Sequence, residues 1–193
     1  MKALLIVDLQ NDFCPGGALA VKEGDLIVPV VNQLMPHFSL IVASMDWHPR
    51  NSIHFEKWPV HCLQHSEGAA FHHDLNSERI EKVFLKGTQN LDDGYSAFEA
   101  TNFNLPEYLN NHDVTDLYIC GLATDYCVKA TALDAQKHGF NTFVITDAIR
   151  GVDVHAGDSD WALEEMILAG VILTHSSASI TPVSRGCGCC GCS

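Results

Sequence analysis

The chain has 193 residues, 24 acidic against 11 basic, and a formal net charge of −13. Its length favours one domain with a core large enough to need no staples, and an acidic balance without a Lys/Arg cluster argues against nucleic acid as a partner. No apolar run approaches the ~18 residues needed to span a bilayer, and the run before Asp8 is too short for a signal-peptide core, so the expected compartment is the cytoplasm, where thiols stay reduced.

Six short apolar runs read as strands: residues 3–7, 40–44, 82–86, 116–121, 142–147 and 170–174. They are near-continuous rather than alternating, the pattern of strands covered on both faces. The first run, Ala3-Leu4-Leu5-Ile6-Val7, ends at Asp8. Residues 9–24, with Pro15-Gly16-Gly17, read as a loop. Residues 25–38 carry Leu26, Ile27, Val30, Val31, Leu34 and Phe38 near helical spacing. Pro29 is tolerated in the first turn of that helix, and Pro36 ends it. The second strand leads into Asp46 and His48. Residues 45–80 then lose the rhythm and hold six histidines, and so long a loop in a compact domain is usually functional.

The third strand closes on Lys86. After the fourth, a helix is expected over 124–138, capped by Thr124 or Asp125, with Cys127 in its first turn and Gly139 as its stop. Another is expected over 159–169, capped by Ser159 or Asp160 and ended by Gly170. Alternating strands and helices predict an α/β fold with a mostly parallel six-stranded sheet. Residues 1–183 form the expected domain. Residues 184–193, Ser-Arg-Gly-Cys-Gly-Cys-Cys-Gly-Cys-Ser, form a Cys/Gly-rich tail with nothing to bury, expected to be disordered.

In a parallel sheet, Asp8, Asp46 with His48, Lys86 and Cys127 all emerge at one carboxyl edge, where open α/β sheets place their ligands. A thiol in the first turn of a helix is favoured as thiolate, and the turn offers N–H donors to a developing oxyanion. Asp8 either shuttles a proton between Cys127 and a leaving group or only pairs with Lys86. Lys86 either stabilises the thiolate or is a solvated strand end. Cys14, Cys62 and Cys120 read as small core hydrophobes. Asp46, His48, His54 and His61 set four candidate ligands within 16 residues, a donor set that suits Zn, Fe or Mn. His65, His72 and His73 read as decoys. No G-x-G-x-x-G follows the first strand, which argues against a bound dinucleotide.

Together these residues resemble the nicotinamidases (pyrazinamidases) of the isochorismatase-like hydrolase superfamily. The landmarks are Val7-Asp8-Leu9-Gln10-Asn11-Asp12-Phe13, Asp46-Trp47-His48, Trp58-Pro59-Val60-His61-Cys62, Lys86-Gly87, Tyr95-Ser96-Ala97-Phe98 and Gly121-Leu122-Ala123-Thr124-Asp125-Tyr126-Cys127-Val128. The resemblance implies a three-layer fold with helices on both faces of the sheet. It implies Asp8, Lys86 and Cys127 as a catalytic triad, and Asp46, His48, His61 and also His54 as ligands of one divalent metal ion (Zn, Fe or Mn). It further implies an oxyanion hole from the backbone N–H groups of Ala123 and Cys127, a cis peptide between Leu122 and Ala123, and Phe13, Trp58 and Tyr95 flanking a pyridine ring. The implied reaction is hydrolysis of nicotinamide, and of pyrazinamide, through a thioester. The implied partner is a small amide, with no nucleic acid or membrane; a homo-oligomer is left open. The alternatives are a related cysteine amidase on another small amide, or a metal-binding protein acting through the His cluster and the tail cysteines Cys187, Cys189, Cys190 and Cys192.

Overall fold

The computed structural model describes residues 1–180; the tail lies outside the described residues. Six strands, β1 (Lys2–Val7), β2 (Leu40–Asp46), β3 (Lys82–Lys86), β4 (Asp116–Leu122), β5 (Asn141–Arg150) and β6 (Ile172–Thr174), form one sheet in the order β3-β2-β1-β4-β5-β6. Every pairing is parallel. All six match expected runs, with β5 longer and β6 shorter than the sequence suggests.

The helices are α1 (Val28–Leu34), α2 (Leu105–Asn111), α3 (Lys129–Lys137), α4 (Asp158–Leu168) and α5 (Ser176–Ile180). The expected helix over 25–38 is in fact three pieces: a 3₁₀ turn Gly24–Ile27, then α1, then a 3₁₀ turn Met35–His37. Pro29 sits in the first turn of α1, and the α-helix stops just before Pro36, as the missing N–H and fixed φ of proline require. The helix after β5 starts at Asp158 with Gly157 as its cap, so Ser159 and Asp160 lie inside it. Ser159 is instead held by the Asp153 carboxylate, which accepts both its N–H (2.8 Å) and its hydroxyl (2.9 Å).

β1 is the centre of the molecule. Its residues alternate between two cores: Leu4 and Ile6 pack with Val31 and Leu34 of α1, while Leu5 and Val7 pack with Leu109 of α2, Ala132 and Ala135 of α3 and Met166 of α4. Each such aliphatic side chain contributes about 1.5–3 kcal/mol through burial. The chain reverses its winding between β1 and β4, and this is the switch point where α/β sheets open a crevice at their carboxyl ends. Asp8 leaves β1 there and Ala123 leaves β4 there.

The β1–β4 joint depends on one glycine. Gly121 pairs with Val7 at φ +118°, and a Cβ on it would run into the Val7 backbone. Gly121→Ala should therefore lose on the order of 3 kcal/mol or more, read as a lower urea midpoint. Gly16→Ala has a similar φ of +94° with open space around it and should lose only about 1–2 kcal/mol. Equal losses at the two sites would show that the β1–β4 approach is not the constraint described.

Candidate active site

Asp8 sits one residue beyond β1 with φ +47°, a turn that keeps its side chain inside the sheet edge. It is fully buried. Its N–H bonds Ser44 O (3.2 Å), and the Ser44 hydroxyl donates to its Oδ1 (2.7 Å). Lys86, at the end of β3, is equally buried rather than a solvated strand end. Its Nζ lies 2.7 Å from Asp8 Oδ2, at ion-pair distance but outside hydrogen-bond geometry. The same ammonium bonds Asp46 Oδ1, Gly94 O (2.6 Å) and Cys127 Sγ (3.4 Å). Lys86 and Asp46 are register partners across β2 and β3, so the sheet itself sets that contact.

The two acids share one cation and differ in consequence. Burial would raise Asp46, but Lys86 beside it reverses the effect and holds its carboxyl well below the usual range. At Asp8 burial wins over Lys86 and raises the carboxyl to about 6. Burial alone would lower Lys86; the carboxylates of Asp46 and Asp8 keep it well above its ordinary value. Lys86 and Asp46 thus form a buried ion pair, with a second, weaker acid, Asp8, beside it.

Cys127 reaches this group from the other side of the switch point. After β4 the Leu122–Ala123 peptide is cis, and Thr124–Val128 form a π turn before α3 begins. Val128 N–H reaches back to Ala123 O (3.0 Å). Cys127 is thus in a π turn, not in the first turn of an α-helix, and such turns are concentrated at functional sites. Neither Thr124 nor Asp125 caps it. Asp125 instead accepts the N–H groups of Val152 (2.9 Å) and Asp153 (2.8 Å), tying the turn to the loop after β5. Burial pushes the Cys127 thiol up, against the pull of Lys86 and against the preference for thiolate that the turn alone would give. Carboxylate oxygens of Asp8 and Asp46 lie within 4.8 Å of the Cys127 sulfur. The other described cysteines, Cys14, Cys62 and Cys120, are buried and free.

A second group adjoins the first. Ring nitrogens of His48, His54 and His61 lie within 4.8 Å of one another, and all three residues are buried. Asp46 Oδ2, on the side of the carboxylate away from Lys86, is 3.6 Å from His48 Nε2 and 3.8 Å from His61 Nε2. His61 donates its Nδ1–H to Pro59 O (2.7 Å), and His54 Nδ1 meets Asp92 Oδ1 (3.2 Å). Both therefore keep Nε2 free as a ligand. Both nitrogens of His48 are buried without a hydrogen-bond partner, an arrangement that costs about 1–3 kcal/mol per orphaned group unless something binds there. Three imidazoles and a carboxylate with open lone pairs fit a divalent metal ion. Gln10 braces the set, donating to Asp46 O (2.9 Å) and accepting from Asp46 N–H (2.8 Å).

Two other groups satisfy the same spacing and fail on chemistry. Asp8, Asp46 and Cys127 already hold the Lys86 ammonium. His72, His73 and Asp74 are partly to fully exposed, and His72 Nδ1 is engaged by Asp74 N–H (3.2 Å).

The cavity between thiol and histidines is lined by Phe13, Trp58 and Tyr95, by Ala123 and Cys127, and by Asp46, His54 and His61. Trp58 donates its indole N–H to the Tyr95 hydroxyl (3.1 Å) and meets Tyr126 edge-on at 5.0 Å. Phe13 tilts against His61 at 5.4 Å. Tyr126, Leu19, Val21 and Val152 also line it and were not legible in the sequence. Leu19 and Val21 lie in a stretch without periodicity, and only chain folding brings Val152 alongside.

Residues 2–178 match the isochorismatase domain family. The nicotinamidase of Escherichia coli (strain K12) is 44% identical over 199 residues, covering 89% of this chain and 93% of that protein. Among solved structures, the pyrazinamidase of Pyrococcus horikoshii in complex with zinc superposes with a TM-score of 0.82 at 44% identity, over 90% of this chain and 98% of that one. PnC1 from L. infantum in complex with nicotinate superposes at 0.86 and 37% identity, over 92% and 94%.

Metal bound only by the folded site stabilises it by mass action, ~2.7 kcal/mol at a free concentration 100-fold above Kd. Thermal unfolding of chelator-stripped protein should shift upward when divalent metal is restored, and His48→Ala should lose that shift. Unfolding is the readout because the four thiols of residues 187–192 can bind soft ions of their own. A full shift in His48→Ala would remove that residue from the metal site.

Proposed function

The chain belongs to the isochorismatase family, and from its likeness to curated nicotinamidases of that family we infer that it is a nicotinamidase, a cysteine amidohydrolase releasing ammonia from nicotinamide and, by the same chemistry, from pyrazinamide. The observation that carries the reading is the meeting of Cys127 Sγ, Lys86 Nζ and the Asp8 carboxylate beside an aromatic cavity that Cys127 lines together with His54 and His61.

The geometry supports the following roles. Phe13, Trp58 and Tyr95 hold the pyridine ring, and the fixed ring orients the carboxamide toward Cys127. Asp46, His48, His54 and His61 would hold a divalent ion, which when bound would supply a Lewis acid beside the substrate ring. Zinc is our choice among Zn, Fe and Mn, on the imidazole-rich donor set and the zinc in the P. horikoshii relative. Asp8 takes the thiol proton as the sulfur attacks the amide carbon, and Lys86 steadies the sulfur as it becomes anionic. The backbone N–H groups of Ala123 and Cys127 receive the oxyanion. Asp8 then gives its proton to the amide nitrogen as the C–N bond breaks, and ammonia leaves a thioester on Cys127. A water loses one proton to Asp8, its oxygen adds to the thioester carbon, the C–S bond breaks, and Asp8 returns the proton to sulfur. The remaining water proton passes from the new carboxyl group to solvent, nicotinate departs and the thiol is restored. The chemistry needs a reduced Cys127, which fits the cytoplasm.

Ammonia release from nicotinamide should be lost in Cys127→Ala by at least ~10³-fold while the metal-dependent rise in unfolding temperature remains. Near-normal turnover without the thiol would end this reading.

The raised Asp8 sets a pH dependence. The active form carries Asp8 ionised, so kcat/KM, measured at saturating metal, should be level above its pKa and fall as pH drops through about 6. An acid limb near 4, the ordinary carboxylate range, would exclude Asp8 as the raised base.

A further inference from the structure

The three histidines of the metal cluster are oriented in three different ways. His61 is fixed by a carbonyl two residues before it, Pro59 O. His48 has no hydrogen-bond partner on either nitrogen. His54 alone is held by a side chain from a distant segment, Asp92, 38 residues on. We propose that Asp92 is the positioning residue of the metal site: its Oδ1 accepts the Nδ1–H of His54, fixes that tautomer, and turns Nε2 toward His48 and His61. The proposal rests on the reading of His54 as a ligand.

Several observations support a built arrangement over a chance contact. Asp92 Oδ2 is taken by Lys57, so the carboxylate is held at both oxygens. Asn90 Oδ1, two residues earlier, accepts the N–H of Ile53 (2.7 Å), and Tyr95, three residues later, accepts from Trp58 (3.1 Å). The 52–58 segment that carries His54 is thus stitched at three levels to the 90–95 segment. That second segment also supplies Gly94 O to Lys86 and Tyr95 to the cavity. Ser52, which caps the 3₁₀ turn Ile53–Glu56 through His54 N–H, fixes the backbone of His54 but not its ring. A carboxylate on the far nitrogen of a ligating imidazole also makes that imidazole a better donor, so its loss weakens the metal as well as loosening the ring.

The test uses the full chain, stripped of metal and titrated with Co²⁺. Visible ligand-field bands report the nitrogen and oxygen site apart from thiolate charge-transfer bands of the tail. Asp92→Ala should weaken Co²⁺ binding roughly 10–100-fold, and Asp92→Asn, which keeps an acceptor oxygen, should recover most of it. The ¹⁵N spectrum of the His54 ring in metal-free protein should show the Nδ1–H tautomer in the parent and lose it in Asp92→Ala. Lys57→Met should bind within about threefold of the parent, because an exposed ion pair contributes little. Asp92→Ala binding within about twofold of the parent while His54→Ala binds poorly would overturn the proposal and leave the ligand reading intact. A Lys57→Met loss as large as that of Asp92→Ala would also overturn it, since the ion pair would then be the brace. If His54→Ala itself binds normally, the ligand reading fails first and the proposal falls with it.

Discussion

The buried ammonium of Lys86 is the constraint on which the site depends. Removing a charge from water costs several kcal/mol after relaxation, and only good pairing offsets it. Lys86 is fully buried and has Asp8, Asp46, Gly94 O and Cys127 around it. Each contact comes from a different part of the chain: the end of β1, the end of β2, the loop before Tyr95, and the turn after β4. Satisfying one cation therefore fixes four segments relative to one another.

Asp46 carries that constraint into the metal cluster. Its two oxygens face different partners, Oδ1 to Lys86 and Oδ2 to His48 and His61. A full positive charge on one side keeps the carboxylate ionised, and an ionised carboxylate is the form that ligates a metal. Two buried carboxylates beside one ammonium leave an excess of negative charge, and a divalent cation fits that excess. The same asymmetry separates the two acids in strength. At Asp46 the charge of Lys86 and the hydrogen bonds of His48 and His61 overcome burial and hold the carboxyl low; at Asp8 burial, with the neighbouring Asp46 charge, outweighs Lys86 and raises it to about 6. Environments that push two like groups apart are how one site assigns a proton carrier and a fixed charge.

Around these charges, further hydrogen bonds set the angles. Gln10 grips Asp46 from both sides, Ser44 aims Asp8, and Asp12 Oδ2 accepts Cys62 N–H (2.7 Å) next to His61. Asp125 locks the π turn of Cys127 to the loop carrying Val152. Gly87 has φ +62° and lies where a Cβ would strike the His48 ring, so the residue after Lys86 must be small for the histidine cluster to close. Among the described residues no helix is long and apolar enough to cross a membrane.

Much of this was legible from local pattern. Uninterrupted apolar runs mark strands buried on both faces, and the reactive residues stand at their ends: Asp8, Asp46, Lys86. Parallel pairing alone then places those three on one rim, because every strand points the same way. Gly139 and Gly170 end their helices, both at positive φ. What local pattern did not contain is whatever depends on contacts between distant segments. The short helices α2 and α5 have too few turns to show a period. The π turn at Cys127 reads like an ordinary helix start, since its residues are the same and only the hydrogen-bond partner shifts. Asp125 looks like a cap until the 151–153 loop competes for its oxygens. Asp92 and Val152 carry no signal, because their partners lie far off in the chain. Burial pushes the Cys127 thiol up where the local turn favours thiolate, because helix polarity is local and burial is not. Side-chain period and strand direction are properties of neighbouring residues, and the sequence determined them. Burial, pKa and the partner of each polar atom arise only when the whole chain excludes water, and those the tertiary structure decided.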